Sequence, residues 1–197
     1  MCGICGELRF DGGHPDLGGL QRMMTRLARR GPDHEGVYTD GPLAFGHRRL
    51  AIIDLSAHSD QPMVDKALGL SLVFNGTLYN YRELRRELAA LGYRFFSEGD
   101  SEVILKAYHA WGEDCVARFN GMFAFAVWSE ADRTLFLGRD RAGIKPLYFA
   151  QDAGRFRFAS TLPALLAAGS VAHSLDPAAL HHHPPLHAVV PAPRTIL

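Results

Sequence analysis

The sequence predicts an α+β fold in which antiparallel sheets pack on each other with helices outside. Helical patterns gather in the middle of the chain, whereas short apolar strands lie at both ends. The strands predicted after Gly121 follow one another through tight turns, which is typical of antiparallel pairing. This order differs from the regular alternation of strand and helix that builds a parallel sheet.

Short runs of apolar and aromatic residues predict the strands. Those in the first half cover residues 2–10, 43–45, 49–53 and 70–74. Those in the second half cover residues 123–128, 134–138, 147–150 and 155–159. The strand over 70–74 runs into Asn75-Gly76, a pair that usually signals a turn.

Three helices are predicted from capping residues and from apolar residues at helical spacing. Asp16 caps the first helix, Asn80 opens the second, which ends at Gly92, and Asp100 opens the third. The predicted apolar faces are Leu17, Leu20, Met23, Met24 and Leu27 in the first; Tyr81, Leu84, Leu88 and Leu91 in the second; and Val103, Ile104, Ala107, Tyr108 and Trp111 in the third.

Composition argues against several classes of protein. Lys plus Arg and Asp plus Glu both number 21, so no net charge favours nucleic acid or an anionic membrane as partner. No apolar run approaches the roughly 20 residues of a spanning helix, and the N-terminus does not resemble a signal peptide. The three cysteines cannot form a disulfide framework, which predicts a reducing, cytoplasmic location.

Cys2 is a candidate nucleophile on one condition. A thiol attacks as the thiolate, and a cysteine with a pKa of ~8.5 needs a base at neutral pH. If Met1 is removed, Cys2 carries a free α-amino group with a pKa near ~8, which can take the thiol proton directly or through one water. For Cys2 taken alone, an ordinary buried strand cysteine is the favoured interpretation.

Cys2 and Cys5 also form a C-x-x-C pair, which raises a metal or redox alternative. A structural zinc site needs further ligands, and the remaining candidates lack a standard spacing. Those candidates are Cys115, His181, His182, His183 and His187. Redox C-x-x-C pairs usually open a helix after a strand, whereas this pair lies within a predicted strand. The sequence therefore predicts no metal site.

Three polar positions have side chains suited to a substrate, and each also has an ordinary interpretation. Asn75-Gly76 offers an amide and a backbone N–H for an oxyanion hole, or it is a plain turn. Arg49 offers a fork for a carboxylate, or it is a surface arginine. Asp100 offers an acceptor for an ammonium group, or it caps a helix, and the two roles are compatible.

The order of the motifs is more informative than any one of them. The chain reads MCGI at its start, RGPD at 30–33, GHRRLAIIDLS at 46–56, QPM at 61–63, NGTLYNYRELR at 75–85, GDSEVILKAY at 99–108, NGMFAFAVW at 120–128 and GRDRAGIKPLYF at 138–149. Over roughly residues 1–170 this order resembles the glutaminase domain of class II glutamine amidotransferases, in the asparagine synthetase-like branch. The resemblance implies a four-layer αββα sandwich of the N-terminal nucleophile hydrolase type.

The resemblance also implies a mechanism. Cys2 would be the nucleophile and its freed amine the base, while the Asn75 side chain and the Gly76 N–H would form the oxyanion hole. Attack on L-glutamine would release ammonia and leave a glutamyl thioester, which water would convert to glutamate.

The substrate-binding residues follow from the same match. Arg49 would hold the glutamine carboxylate, and Asp100 would hold the amino group. The pocket would be lined by Leu50, Ala51, Ile52, Ile53, Asn75, Gly76 and Thr77. Thr77 stands where the family usually has an acid, which leaves more of the ammonium to Asp100.

Departures near the C-terminus bear on the acceptor of ammonia. Thr161 stands where many asparagine synthetases have glutamate. The stretches RFASTLPALLAAG and HAVVPAPRTIL are closer to N-acetylglutaminylglutamine amidotransferases, which amidate a dipeptide. The acceptor is therefore expected to be of the asparagine type or of this dipeptide type.

The sequence after residue 170 lacks the Ser-Gly-Gly-x-Asp-Ser loop with which these synthetases bind the ATP pyrophosphate. Residues 171–197 are therefore expected to be a linker towards a missing synthetase domain, supplied in cis or in trans. ATP and Mg are expected in that domain and no cofactor in this chain. A homodimer is a further expectation. The alternative function is a catalytically silent module that binds glutamine or regulates a partner.

Overall fold

The structure, a computed structural model, describes residues 1–171 of the chain. Within those residues it contains nine strands: β1 (Gly3–Arg9), β2 (His34–Asp40), β3 (Leu43–Arg49), β4 (Met63–Asp65), β5 (Leu70–Leu78), β6 (Gly121–Ser129), β7 (Thr134–Arg139), β8 (Tyr148–Gln151) and β9 (Arg155–Ala159). They form a five-stranded sheet in the order β2-β3-β1-β9-β8 and a four-stranded sheet in the order β4-β5-β6-β7. All the pairings are antiparallel, as predicted.

Helices cover the outer face of each sheet. The α-helices of the described part are α1 (Leu17–Leu27), α2 (Tyr81–Ala90), α3 (Asp100–Trp111), α4 (Cys115–Arg118) and α5 (Leu162–Ala167). Helices α1 and α5 pack on the five-stranded sheet, while α3 packs on the four-stranded sheet and against α2. The predicted four-layer αββα sandwich is confirmed.

The core between the two sheets is apolar and closely packed. Its largest side chains are Ile4, Phe45, Trp128 and Phe158, and each is at most 1% exposed. Val73 of β5 joins the same cluster, so the centre of the second sheet packs against the strands of the first. This packing brings the start of β1 close to β5.

The start of α1 agrees with the sequence in detail. The Asp16 carboxylate accepts a hydrogen bond of 2.9 Å from the Gly19 N–H, as a helix cap should. The predicted apolar faces are wrong at their ends, because Leu17 is 52% exposed and Leu91 is 62% exposed. Both residues lie at helix termini, where the apolar stripe leaves the core.

The predicted strand over residues 49–53 is wrong. Strand β3 ends at Arg49, and the following residues form a loop in which Ile52 is 68% exposed. The Ala51 N–H donates to the Asp33 carboxylate at 2.8 Å rather than to a neighbouring strand. The apolar run therefore belongs to a loop.

The predicted turn at Asn75-Gly76 is also wrong. Both residues lie inside β5, opposite Ala124 and Phe123 of β6. A Cβ added at Gly76 would lie 2.4 Å from the Met122 carbonyl oxygen. Glycine is needed here because two strands approach closely, and not because the chain reverses.

Several elements were not predicted. Strand β2 escaped prediction because its exposed side chains give it no apolar run. Helix α5 is short, and its cap is Thr161, whose hydroxyl oxygen accepts from the Ala164 N–H at 3.3 Å. Asn80 does precede α2, but its side chain bonds the Arg118 carbonyl and the Asn120 N–H instead of capping the helix.

Predictions about the C-terminal segment lie outside the described residues. These are the linker over residues 171–197, its separation from the glutaminase domain, and the absence of a site at the histidines 181–183 and 187. Within residues 1–171, no helix is long and apolar enough to cross a membrane.

Candidate active site

A cavity of about 150 Å³ opens where the chain enters β1 and passes along β5. Every predicted site residue except Ala51 lines this cavity. Predicted residues from four separate stretches of sequence therefore meet in one place, and the fold of the two sheets brings them together. The chemical roles of these residues stay predictions.

Cys2 lies just before β1 and is held by two other segments. Its sulfur accepts a hydrogen bond of 3.3 Å from the Leu50 N–H, and its carbonyl accepts one of 2.9 Å from Arg30 Nε. Burial raises the pKa of the Cys2 thiol, while the Leu50 hydrogen bond opposes that rise. A thiol in this state needs a nearby base to become a nucleophile.

Cys5 lies in a different environment from Cys2. It is fully buried in the apolar layer between the five-stranded sheet and α1, and burial raises its pKa to about 12. Cys2, in contrast, faces the cavity. In the part of the chain that the structure describes, no three His, Cys, Asp or Glu residues are placed to hold a metal ion.

Asn75 supplies a hydrogen-bond donor that the described protein leaves unused. Its side chain is 1% exposed, and Nδ2 has no hydrogen-bond partner in residues 1–171. An unsatisfied buried polar group costs roughly 1–3 kcal/mol, so a native fold rarely keeps one without a reason. Because Asn75 lines the cavity, a bound ligand can satisfy this donor.

The Gly76 N–H points away from β6, on the open edge of β5. Backbone N–H groups alternate in direction along a strand. On either side of Gly76, the N–H groups of Phe74 and Leu78 donate to Gln61 at 2.6 Å and to Asp100 at 2.9 Å, away from β6. The Gly76 N–H therefore also points away from β6, beside the Asn75 amide.

Arg49 is the last residue of β3 and is 7% exposed. Its Nη1 donates to the Asp60 carboxylate at 2.6 Å and to the Ser56 carbonyl at 3.1 Å, and its Nη2 donates to the Asp54 carbonyl. The loop after β3 thus fixes the guanidinium at the cavity wall. A substrate carboxylate would meet a cation that is already oriented.

Asp100 is the first residue of α3 and is 5% exposed. Its Oδ2 accepts from the Leu78 N–H at 2.9 Å, which joins α3 to the end of β5. Burial raises the pKa of this carboxyl to about 6, although that hydrogen bond lowers it. The cap position itself is Gly99, so the interpretation of Asp100 as an N-cap is wrong.

The site and the comparisons agree on the family. The glutamine amidotransferase domain family matches residues 1–197. This chain belongs to that family. The glutamine-hydrolysing asparagine synthetase 3 of Bacillus subtilis is 40% identical over 179 residues, which cover 89% of this chain and 29% of that protein. A putative glutamine-hydrolysing asparagine synthetase of Mycobacterium tuberculosis is 40% identical over 190 residues. The match covers 90% of this chain and 29% of that protein.

A solved structure supports the fold of this amidotransferase domain. Glutamine phosphoribosylpyrophosphate amidotransferase from B. subtilis matches it with a TM-score of 0.63 at 20% identity. The match covers 90% of this chain and 46% of that one. The chain thus spans under a third of each of these two curated relatives and about half of the solved enzyme.

The departure at Thr77 has a simple local consequence in this amidotransferase domain. The Thr77 hydroxyl donates to the Gly76 carbonyl at 2.9 Å. The Thr77 hydroxyl thus has its hydrogen-bond partner within β5, and it adds no negative charge to the cavity. Asp100 remains as the carboxylate among the described residues that line the cavity.

Among the residues of the amidotransferase site that were not predicted, three have contacts that help to build it. Arg30 and Gln61 lie in the motifs RGPD and QPM, which served only as family landmarks. Gln61 joins β5 to α3, because Oε1 accepts from Phe74 and Nε2 donates to the Ser101 hydroxyl at 3.2 Å. The third is Lys145, which lines the cavity beside Cys2.

Proposed function

We propose that this domain hydrolyses L-glutamine to glutamate and ammonia through a thioester on Cys2. The observation that carries the proposal is that one cavity holds both the Cys2 sulfur and Asn75 Nδ2, which has no hydrogen-bond partner in residues 1–171. A nucleophile and an unused oxyanion donor are the two groups that acyl transfer requires. The names of the relatives, which describe glutamine hydrolysis, support the same reaction.

The first half of the reaction makes the thioester. After Met1 is removed, the α-amine of Cys2 takes the thiol proton, and the sulfur attacks the side-chain carboxamide carbon of glutamine. The charge that develops on the carboxamide oxygen is met by Asn75 Nδ2 and the Gly76 N–H. When the C–N bond breaks, the protonated α-amine gives its proton to the leaving nitrogen, which departs as ammonia.

The second half regenerates the thiol. A water molecule gives a proton to the α-amine and attacks the thioester carbon, again with the oxyanion held by Asn75 and Gly76. The C–S bond breaks, the proton returns to the sulfur, and glutamate leaves. Throughout both halves, Arg49 binds the α-carboxylate of the substrate and Asp100 binds its ammonium group.

The ammonia is consumed, in this proposal, by an ATP- and Mg-dependent synthetase domain in cis or in trans. The support is that the relatives named asparagine synthetases extend well beyond the matched region. The synthetase is of the asparagine type or of the N-acetylglutaminylglutamine amide type. Only the C-terminal sequence favours the second assignment. The catalytically silent alternative is not favoured, because the nucleophile and the oxyanion donors share one cavity.

The test is glutamate release from L-glutamine by purified protein whose Met1 is shown by mass spectrometry to be absent. We expect turnover in this protein and a loss of at least about 10³-fold in Cys2→Ala. Cys115→Ala is the matched control, because Cys115 is buried in the apolar cluster between α2 and α3 and does not line the cavity. Glutamine binding without turnover in the processed protein would instead establish the silent module.

A further inference from the structure

The turn between β7 and β8 holds a motif to which the proposed function gives no role. The Asp140 carboxylate accepts from the N–H groups of Phe123 at 3.1 Å, Ile144 at 2.8 Å and Lys145 at 3.0 Å. Arg139 Nε donates to the Lys145 carbonyl at 2.8 Å. Two of these hydrogen bonds hold the Lys145 N–H and carbonyl, and they fix where its side chain begins.

The side chain of Lys145 ends in the same cavity as Cys2. Lys145 is 5% exposed, and its Nζ contacts the thioether sulfur of Met1 at 3.2 Å. No carboxylate of residues 1–171 lies within ion-pair distance of this ammonium. Burial lowers the pKa of Lys145, and the Arg30 guanidinium lowers it further, while Cys2 and the Asp140 carboxylate raise it.

The other buried lysine of the described part shows what a structural role looks like. Lys106 is 6% exposed, and its ammonium pairs with the Asp65 carboxylate and lies 3.6 Å from that of Glu102. Buried charges are normally paired in this way, because an unpaired one is expensive to remove from water. Lys145 differs in that the hydrogen bond its ammonium makes within residues 1–171 goes to Met1, the residue that processing removes.

We propose that Lys145 is a positioning residue for Cys2, which it activates electrostatically once Met1 is gone. Its ammonium then faces the vacated space, where it stabilises the thiolate and disfavours protonation of the adjacent α-amine. The first effect lowers the pH at which the thiol ionises, and the second lowers the pH above which the amine is neutral and free to take the thiol proton. The inference rests on the proposed function, which supplies the free amine.

Other charged groups face Cys2 and remain in place when Lys145 is changed. Arg30 binds the Cys2 carbonyl from the 3₁₀ turn after α1, Arg49 approaches from β3, and Asp100 from α3. The two arginines favour the thiolate and Asp100 opposes it. A change at Lys145 therefore shifts the titration of Cys2 without abolishing it.

The test measures the rate at which iodoacetamide alkylates Cys2 as a function of pH, with no glutamine present. Cys5 and Cys115 are fully buried, so the label reports on Cys2. We expect Lys145→Met to move the midpoint upward by about one pH unit, whereas Lys145→Arg keeps the wild-type midpoint. Lys66→Met, which removes an exposed lysine, is the control. A wild-type midpoint in Lys145→Met overturns the proposal.

Turnover gives a second readout that separates the two ideas. The acidic limb of kcat/KM for glutamine should move upward with the alkylation midpoint in Lys145→Met. If wild-type protein releases no glutamate, the proposed function fails, whereas the alkylation midpoint still decides the role of Lys145.

A measurement on the wild-type protein covers the case in which Lys145→Met does not fold. The chain has three lysines, so the ¹³Cε signals of Lys66, Lys106 and Lys145 can be followed separately by NMR. Coupling is reciprocal, so alkylating Cys2 removes the thiolate and should lower the titration midpoint of Lys145 while Lys66 keeps its own. An unchanged Lys145 signal overturns the proposal.

Discussion

Asn75, Asp100 and Lys145 each have a side chain that is poorly satisfied inside the protein. Within residues 1–171, Asn75 Nδ2 lacks a hydrogen-bond partner and no carboxylate lies within ion-pair distance of the Lys145 ammonium, while burial raises the pKa of Asp100. Such groups reduce stability, and they are expected where a substrate supplies the missing interactions. All three line one cavity. Because these three side chains lie together, we place catalysis in this cavity.

Replacing Asn75 by alanine tests the oxyanion hole. We expect kcat for glutamine hydrolysis to fall by roughly 10²–10³-fold with little change in KM, because the donor acts on charge that develops in the transition state. The free energy of unfolding should change little, since Nδ2 makes no hydrogen bond within residues 1–171. Asn120→Ala, on the surface, is the control. A rise in KM at constant kcat would instead make Asn75 a ground-state binding group.

The pH dependence of activity reports on Asp100. Its pKa is about 6, so the carboxyl becomes protonated as the pH falls through that value and can no longer hold an ammonium group. We therefore expect KM for glutamine to rise below about pH 6, measured from steady-state glutamate release at a series of pH values. A KM that stays constant down to pH 5 would contradict this assignment.

Asp100→Asn should trade activity for stability. The folded pKa lies above the ordinary value of 3.8, so the folded state binds the proton more tightly than the unfolded chain does. The free energy of unfolding contributed by this group is highest below pH 3.8 and falls as the pH rises through about 6. At pH 7 the asparagine should raise the free energy of unfolding, on the order of 1–3 kcal/mol in denaturant titrations. Asp114→Asn is an exposed control, and a destabilised Asp100→Asn would contradict the argument.

Strand β5 organises the site at the scale of elements. It carries Asn75 and Gly76 in its interior, and its N–H groups anchor Gln61 and Asp100 from two other segments. The loop after β3 is fixed in a similar way, because the Asp54 carboxylate accepts from the Ser59 hydroxyl and from the Glu98 N–H, two residues before α3 begins. The cavity wall is therefore tied to the second sheet and to the start of α3.

Gly76→Ala tests the close approach of β5 and β6. A methyl group there would lie 2.4 Å from the Met122 carbonyl oxygen, so the strands must separate. We expect a loss of about 1–3 kcal/mol in the free energy of unfolding, together with a fall in kcat as the backbone N–H moves. In Gly154→Ala, the control, the nearest atom is 3.6 Å away and little should change. Equal thermal stability of the two variants would contradict the packing argument.

For the whole molecule, the sequence predicts the layers better than the details of the site. Amphipathic spacing and an Asp16 cap predict α1 correctly, because that helix buries one face against a sheet. Asn75-Gly76 predicts a turn by its local sequence, whereas in the structure both residues are strand, and Gly76 is required by its close approach to Met122 of β6. The role of Cys2 depended on the order of distant motifs, and no single residue revealed it.

Some of the site could not be predicted because its contacts join distant parts of the chain. The position of Lys145 could not be predicted from its neighbours in sequence, because its contact with Met1 joins residues 144 positions apart. Arg30 was missed for the same reason, since its contact with the Cys2 carbonyl depends on how α1 packs across the first sheet. Family landmarks mark such positions, but only the fold shows what they touch.

The central claim is that Cys2 works only as the N-terminal residue, with its own amine as base. The most direct measurement compares protein lacking Met1 with protein kept unprocessed, for glutamate release and for the mass of a glutamyl adduct on Cys2 after rapid quenching with acid. Met1 lines the cavity and turns the Cys2 amine into an amide, so we expect adduct and glutamate from the processed form alone. Equal turnover with Met1 present, or no adduct on Cys2 without it, would contradict the account.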